Sequence, residues 1–268
     1  MDTNPGPWRP VSAVCRLLCS NVWGLVRNLS DLTVASCQYD ILLCSETLVT
    51  DMRHMSEVLG LGFGRPVLLC RGKMPRARGM AAYVRDGYRA FCQPKFECGC
   101  EMLVFRVCGV RLNLYVYSLY RNPDLDDRIF DNLLASMAAV QAEDVRATFL
   151  FVGDLNGHHQ ERLGSTTTNR HRVAACDFAT VSGCYQLVVG PTHARGGTFD
   201  LLMTDVPDLV RDAVVAPIGN SDHSSLSAVI SMAQAVTNLY VSRKVFLNHQ
   251  VNWNTVCGSI RELPWRNI

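Results

Sequence analysis

The chain has 268 residues, 48% of them hydrophobic and 19% charged, with 26 basic and 24 acidic side chains giving a formal net charge of +2. That balance excludes a disordered or low-complexity chain and supplies enough apolar surface for one large α/β domain or two modest ones. A charge this small does not mark a nucleic-acid partner by itself, and no apolar run reaches the ~20 residues of a membrane span.

The N-terminal stretch MDTNPGPWRPVSAVCRLLCSNVWGL lacks a charged start followed by a long apolar core, so no signal peptide is expected. NPGP at 4–7 reads as a Pro/Gly turn, and residues 1–11 as an extension ahead of the domain. Short runs rich in Val, Leu, Ile, Phe and Tyr then predict strands over 14–20, 39–45, 66–70, 79–85, 102–108, 110–120, 147–153, 185–189, 198–204 and 226–232. Apolar residues at helical spacing predict helices over 25–37, 124–144 and 171–183; Asp124 or Asp126 caps the second and Gly183 ends the third. Many strands with fewer helices imply a mixed sheet, or two packed sheets with helices outside. Residues 233–268 are weakly helical and partly basic, and are expected to lie outside the core as a tail cut from a longer frame.

Twelve cysteines are present, but none forms a Cys-x-x-Cys pair, and Cys15, Cys19, Cys44, Cys70 and Cys108 lie in or beside apolar runs, where free Cys acts as a small hydrophobe. Cys98 and Cys100 have no partner pair or His cluster at zinc spacing. A reduced, intracellular protein is the expectation.

The apolar runs end in polar groups of one kind. The first ends in Asn21, the second in Glu46, the long sixth in Tyr120, and the seventh in Gly-Asp-Leu-Asn, which carries Asp154 and Asn156. Asp200 sits between Phe199 and Leu201, and Asp222 and His223 precede the last run. Taken singly, each has an ordinary reading: Asn21 a helix cap, Glu46 a solvated carboxylate, Tyr120 a core phenol, GDLN a turn, His223 a structural histidine. Taken together, several strands deliver carboxylates, amides, a phenol and an imidazole to one sheet edge. Oxygen donors of that sort suit Mg²⁺ or Mn²⁺, and His and Tyr beside them complete the parts for phosphodiester hydrolysis.

The ordered set Asn21, SET with Glu46, YRNP with Tyr120, GDLN, TFD and SDH resembles the endonuclease/exonuclease/phosphatase superfamily, which includes DNase I, exonuclease III and the apurinic endonucleases. FVGDLNGHH, PTHARGGTFDLLMTD and IGNSDHSSL are similar to the endonuclease domain of LINE-type (non-LTR) retrotransposon polyproteins, over about residues 12–232. The resemblance implies a four-layer α/β sandwich, with two mixed β-sheets face to face and helices outside. It implies a Mg²⁺-dependent (or Mn²⁺-dependent) DNA endonuclease that nicks target DNA. The match of Glu46 binds the ion, helped by those of Asn21 and Asp222. The match of Asp154 orients or deprotonates water, and that of Asn156 donates to the phosphate. His223 contacts the scissile phosphate with Asp200 on its other ring nitrogen, Tyr120 binds a phosphate oxygen, and Thr198 and Ser221 support their neighbours. DNA is the implied partner, with no membrane; a reverse transcriptase belongs to the full-length element and is absent from this chain. Action on chromosomal DNA would place the protein in the nucleus.

Two positions depart from the family. Trp23 stands where many apurinic endonucleases carry a second polar metal-site residue, which thins metal coordination and favours plain nicking over abasic-site cleavage. Arg172 stands where retrotransposon relatives often have Gly at a helix start. The polar, basic stretch 157–172, with His158 and His159, suits phosphate contacts along DNA as well as it suits a solvated loop. The rival readings are a non-catalytic DNA-binding remnant of a mobile element and a phosphatase or phosphodiesterase of the same superfamily.

Overall fold

The fold is described from a computed structural model, over residues 14–49, 63, 67–69, 78–98, 100–109, 112–122, 128–156 and 170–232. The strands are β1 (Val14–Asn21), β2 (Ile41–Ser45), β3 (Val67–Leu69), β4 (Met80–Val84), β5 (Ala90–Cys92), β6 (Glu101–Cys108), β7 (Asn113–Tyr120), β8 (Ala147–Asp154), β9 (Tyr185–Gln186), β10 (Asp200–Thr204), β11 (Val210–Pro217) and β12 (Ser224–Ser231). The helices are α1 (Leu29–Ser36), α2 (Arg128–Glu143) and α3 (Arg170–Ser182), with α1 preceded by a 3-10 turn over Val26–Asn28. No described helix is long and apolar enough to cross a membrane. The caps considered at Asp124 and Asp126, the histidines at 158 and 159, the NPGP turn and the 233–268 tail lie outside the described residues.

The strands form two six-stranded sheets, ordered β11-β12-β1-β2-β4-β3 and β5-β6-β7-β8-β10-β9. Each is mixed, with one parallel pair at its centre, β1 with β2 and β7 with β8, among antiparallel neighbours. Side chains alternate faces along a strand, and here both faces are covered. Cys15, Leu17 and Cys19 of β1 pack with Phe105, Val116, Val152 and Leu202 of the other sheet in one buried cluster. Leu18, one residue out of phase, packs with Leu32 of α1. Tyr117 and Phe151 face the opposite way, onto Leu133 and Met137 of α2 and Phe178 of α3. The architecture is therefore α1, sheet, sheet, α2 with α3: the expected four-layer sandwich. Burial on both faces is why these strands read as near-continuous apolar runs.

Two strands carried no sequence signal. β5 has only three residues, and β11 is largely solvent-facing with a register shift between Arg211 and Val214, so neither shows apolar alternation. Several predicted strands are shorter than their apolar runs, among them two that flank the loop around Thr192. The 185–189 run pairs only at Tyr185 and Gln186, and Val189 is exposed. The 198–204 run pairs from Asp200 onward, because the N–H groups of Phe199 and Asp200 both donate to Thr192 Oγ1, at 2.9 and 3.0 Å. Gly183 ends α3 with a φ of 69° as expected, a left-handed conformation that glycine adopts without steric cost.

All ten described cysteines are free thiols. Burial pushes the thiol of Cys44 up to about 12 and those of Cys15 and Cys19 well above the ordinary range, so these behave as apolar filler.

Gly153 decides how β8 meets β7. Its φ is +138°, and a Cβ there would lie 2.0 Å from the Leu119 carbonyl oxygen of its paired strand. Gly153→Ala is therefore expected to destabilise the protein by about 3 kcal/mol or more, from the clash added to the backbone strain. Gly190 has φ +96° but nothing within 4 Å of the added atom, so Gly190→Ala is expected to cost only about 1 kcal/mol. Urea denaturation of the two variants checks the difference; equal losses would show that the Leu119 approach is not what requires glycine.

Candidate active site

The register of the central strands gathers the polar strand ends. Tyr120 pairs with Asp154, and Asp154 pairs with Asp200, across three neighbouring strands. Paired residues share a face, and Tyr120 belongs to the inner cluster, so all three side chains point between the sheets. In the opposite sheet, Asn21 continues the inward series of Cys15, Leu17 and Cys19 and pairs with Ser45, one residue before Glu46. The inner core thus ends in a polar mouth, and residues far apart in sequence meet there.

Asn21 is the bridge. Its Nδ2 donates to Glu46 Oε1 and to Asp154 Oδ2, each at 3.2 Å, while its Oδ1 accepts the Trp23 N–H at 3.3 Å. Glu46 adopts φ 51°, and its Oε2 takes Arg78 Nη1 at 3.2 Å. Arg78 is held in turn through its backbone: Glu101 accepts the N–H groups of Arg78 and Gly79 at 2.7 and 2.8 Å. Asp154 is the last residue of β8 and 1% exposed. Its Oδ1 accepts the Asn156 N–H at 2.9 Å, and Asn156 Nδ2 donates to the Arg121 carbonyl at 2.7 Å. That leaves one amide hydrogen of Asn156 for a ligand.

His223 closes the site. Its Nδ1 lies 2.8 Å from Asp200 Oδ2, and its Nε2 lies 3.8 Å from Asp154 Oδ2. Ser221 fixes this arm: its hydroxyl donates to the Asn21 carbonyl at 2.7 Å and accepts the His223 N–H at 3.1 Å. Thr198 instead bonds the Gly190 carbonyl, at 2.7 Å, and the support of Asp200 comes from Thr192. Asp222 is half exposed, with Oδ2 3.2 Å from His193 Nε2. Among the described residues, the groups of three His, Cys, Asp or Glu with donor atoms mutually within 4.8 Å are His193–Asp222–His223 and Asp154–Asp200–His223. Glu46 is in neither; it meets Asn21 directly, through the bond from Asn21 Nδ2. Trp23 is 48% exposed beside Asn21, at φ 38°, with the Arg27 guanidinium 5.5 Å from its ring centre. Arg172 falls in the first turn of α3.

Arg78, Glu101, Thr192 and His193 were not singled out from the sequence. For the last two a signal existed, since PTH opens the loop that leads to TFD; Arg78 and Glu101 follow no pattern that separates them from other charged residues.

Burial raises the carboxyl of Asp154 first, and the charge of Asp200 raises it further, against His223, the Asn156 N–H and Asn21, to about 7. Burial lowers His223, but the hydrogen bond and charge of Asp200, with the charges of Asp154 and Asp222, outweigh it and push the imidazole up to about 9. Burial, then the charge of Glu46 and a hydrogen bond to it, raise Tyr120, which is therefore a neutral phenol.

A scan against protein-family models gives no match, and no curated protein matches by sequence. Solved structures do match. The endonuclease domain of TRAS1, a telomere-specific non-LTR retrotransposon, superposes with a TM-score of 0.62 at 17% identity, over 82% of this chain and 100% of that one. The AP endonuclease LMAP from Leishmania major gives 0.68 at 14% identity, over 82% and 88%. The catalytic domain of Xenopus laevis APE2 gives 0.59 at 16% identity, over 82% and 93%. The chain has the DNase I-like fold. At these identities the likeness concerns the backbone, and the chemistry rests on the residues above.

A pH test follows from His223. Its folded-state value lies above the ordinary 6.5, so its pairing contributes stability that is fully present below pH 6.5 and lost as pH rises through about 9. In EDTA, the wild type is expected to melt above His223→Asn at pH 6, with the gap closing between pH 7 and 9. A gap independent of pH would show that the imidazolium is not what Asp200 stabilises.

Proposed function

We propose that this chain is a divalent-metal-dependent DNA endonuclease that nicks the target of a non-LTR retrotransposon. The observation that carries the reading is the junction of Asp154 with Asn21, Asp200 and His223 at the mouth between the sheets. In this reading Asp154 accepts a water proton, and the His223 imidazolium beside it binds a phosphate oxygen. The retrotransposon assignment rests on FVGDLNGHH, PTHARGGTFDLLMTD and IGNSDHSSL, and the full-length match of the TRAS1 domain supports it through fold alone.

The donor set fits a hard divalent ion. Buried carboxylates crowd one another here, and the charge of Asp200 already raises Asp154, which a cation would relieve. Glu46, Asn21 and Asp222 would hold Mg²⁺, or Mn²⁺ in its place. When bound, the ion supplies neutralisation of negative charge on the phosphodiester. Asp154, near 7, is ionised often enough at neutral pH to take a proton from the attacking water and basic enough to do so usefully. His223, kept charged by Asp200, donates from Nε2 to a non-bridging oxygen. Tyr120 and the remaining amide hydrogen of Asn156 add neutral donors. The water oxygen bonds to phosphorus as the bond to the 3′ oxygen breaks; the leaving oxygen takes a proton from solvent, giving a 5′-phosphate and the 3′-hydroxyl that priming of reverse transcription requires. Arg27, over the Trp23 ring, and Arg195, two residues after His193, are both exposed and suit contacts to DNA phosphates.

The decisive assay is nicking of supercoiled plasmid. Activity is expected with Mg²⁺ or Mn²⁺ and is expected to vanish in EDTA. Asp154→Asn should nick at least about a hundredfold more slowly while still binding DNA. Because the ionised carboxylate is buried beside Asp200, this variant should melt at or above the wild-type temperature. Normal nicking by Asp154→Asn, or cleavage undiminished by EDTA, would overturn the reading. DNA binding without nicking by the wild type would favour the remnant.

A further inference from the structure

His193 takes no part in the mechanism above, yet it is built into the site more firmly than a loop histidine needs to be. The loop from Pro191 to Gly197 docks against the start of β12 through two backbone bonds. Ala194 N–H donates to the Asp222 carbonyl at 2.9 Å, and Ser224 N–H donates to the Thr192 carbonyl at 2.7 Å. These bonds flank an antiparallel bridge that sets His193 opposite His223. The two rings meet edge to face, 4.7 Å between centres at 87°, and Phe199 packs edge-on against His193 at 4.9 Å and 90°. Only 9% of the His193 side chain is exposed, against 52% for Asp222.

The tautomer of His193 is dictated by its own loop. Arg195 N–H donates to Nδ1 at 3.0 Å, so Nδ1 is the acceptor and Nε2 carries the hydrogen. That hydrogen faces Asp222 Oδ2, 3.2 Å away. A carboxylate on a half-exposed side chain is otherwise free to rotate about its terminal bonds; this donor selects one orientation. The arrangement mirrors that of His223 and Asp200 with the roles exchanged: there a carboxylate orients an imidazole, here an imidazole orients a carboxylate.

We propose that His193 is a positioning residue, whose Nε2–H fixes the Asp222 carboxylate while its ring seats His223. A cation held by His193, Asp222 and His223 is the weaker account of the same cluster, because both Nδ1 atoms are engaged within the protein and His193 Nε2 is a donor. The catalytic part of the proposal rests on the nuclease reading; the tautomer does not.

The test separates the ring from the donor. His193→Phe keeps an aromatic ring against Phe199 and His223 and removes the N–H; His193→Gln restores an amide N–H at similar reach. Residues that orient a metal ligand typically contribute about 10–100-fold, so His193→Phe is expected to lower kcat by about tenfold or more, with KM within about threefold. His193→Gln should return to within about threefold of wild-type kcat, and His193→Phe combined with Asp222→Asn should be no slower than Asp222→Asn alone, as for groups acting as one unit. Wild-type kcat in His193→Phe, or equal losses in the Phe and Gln variants, would overturn the proposal. Long-range ¹H–¹⁵N spectra of the metal-free wild type at neutral pH provide a readout independent of catalysis. They should show His193 as the Nε2–H tautomer, with its Nε2 resonance moving in Asp222→Asn. An Nδ1–H tautomer overturns the proposal whatever the activity. If no protein nicks while the tautomer is as stated, the nuclease reading fails and the pairing of His193 with Asp222 stands.

Discussion

The site depends on one constraint, the register that sets Tyr120, Asp154 and Asp200 side by side on the inner face of three adjacent strands. A slip of one residue would turn the whole set outward toward α2 and α3. The apolar residues below each of them guard against that slip, because Val116, Val152 and Leu202 must stay between the sheets. Core packing and site assembly are therefore the same requirement. Gly153 marks where it is tightest, since only a residue without a Cβ lets β8 approach Leu119 there.

That register places a carboxylate where water is scarce. Asp154 is 1% exposed and faces Asp200, an arrangement unfavourable to charge unless nearby donors offset it. Asn21, the Asn156 N–H and His223 supply part of the offset. The surroundings push Asp154 and His223 up to about 7 and about 9 respectively. One group becomes basic enough to take a proton near neutrality while the other stays charged. In the proposed mechanism, environment rather than residue type assigns the roles of proton acceptor and phosphate-binding cation.

Around this centre the protein uses braces that touch no substrate in the proposed mechanism. Glu101 holds the backbone of Arg78 and Gly79, and Arg78 holds Glu46. Thr192 holds the backbone of Asp200, Ser221 ties His223 to Asn21, and His193 holds Asp222. Each joins segments that enter the site from different strands. Orientation of functional groups to a fraction of an ångström generally needs such support.

The sequence by itself determined the strands buried on both faces and the order in which their polar ends appear. Apolar runs, helical spacing and turn residues are properties of chain neighbours, so β1, β7, β8 and α2 were legible, and so were Asn21, Glu46, Tyr120, Asp154, Asp200 and His223 as polar groups at the ends of, within or just before such runs. β5 and β11 were not, because a three-residue strand and an exposed, bulged edge strand carry no alternation. Tertiary structure alone decided which atoms meet. The Asn21–Asp154 bond spans 133 residues and exists only because two sheets face each other. The Asp222 carboxylate meets His193, because the backbone bridge between His193 and His223 brings that donor alongside. Local pattern fixes which face a side chain takes; the partner it finds there comes from a strand that the pattern does not name.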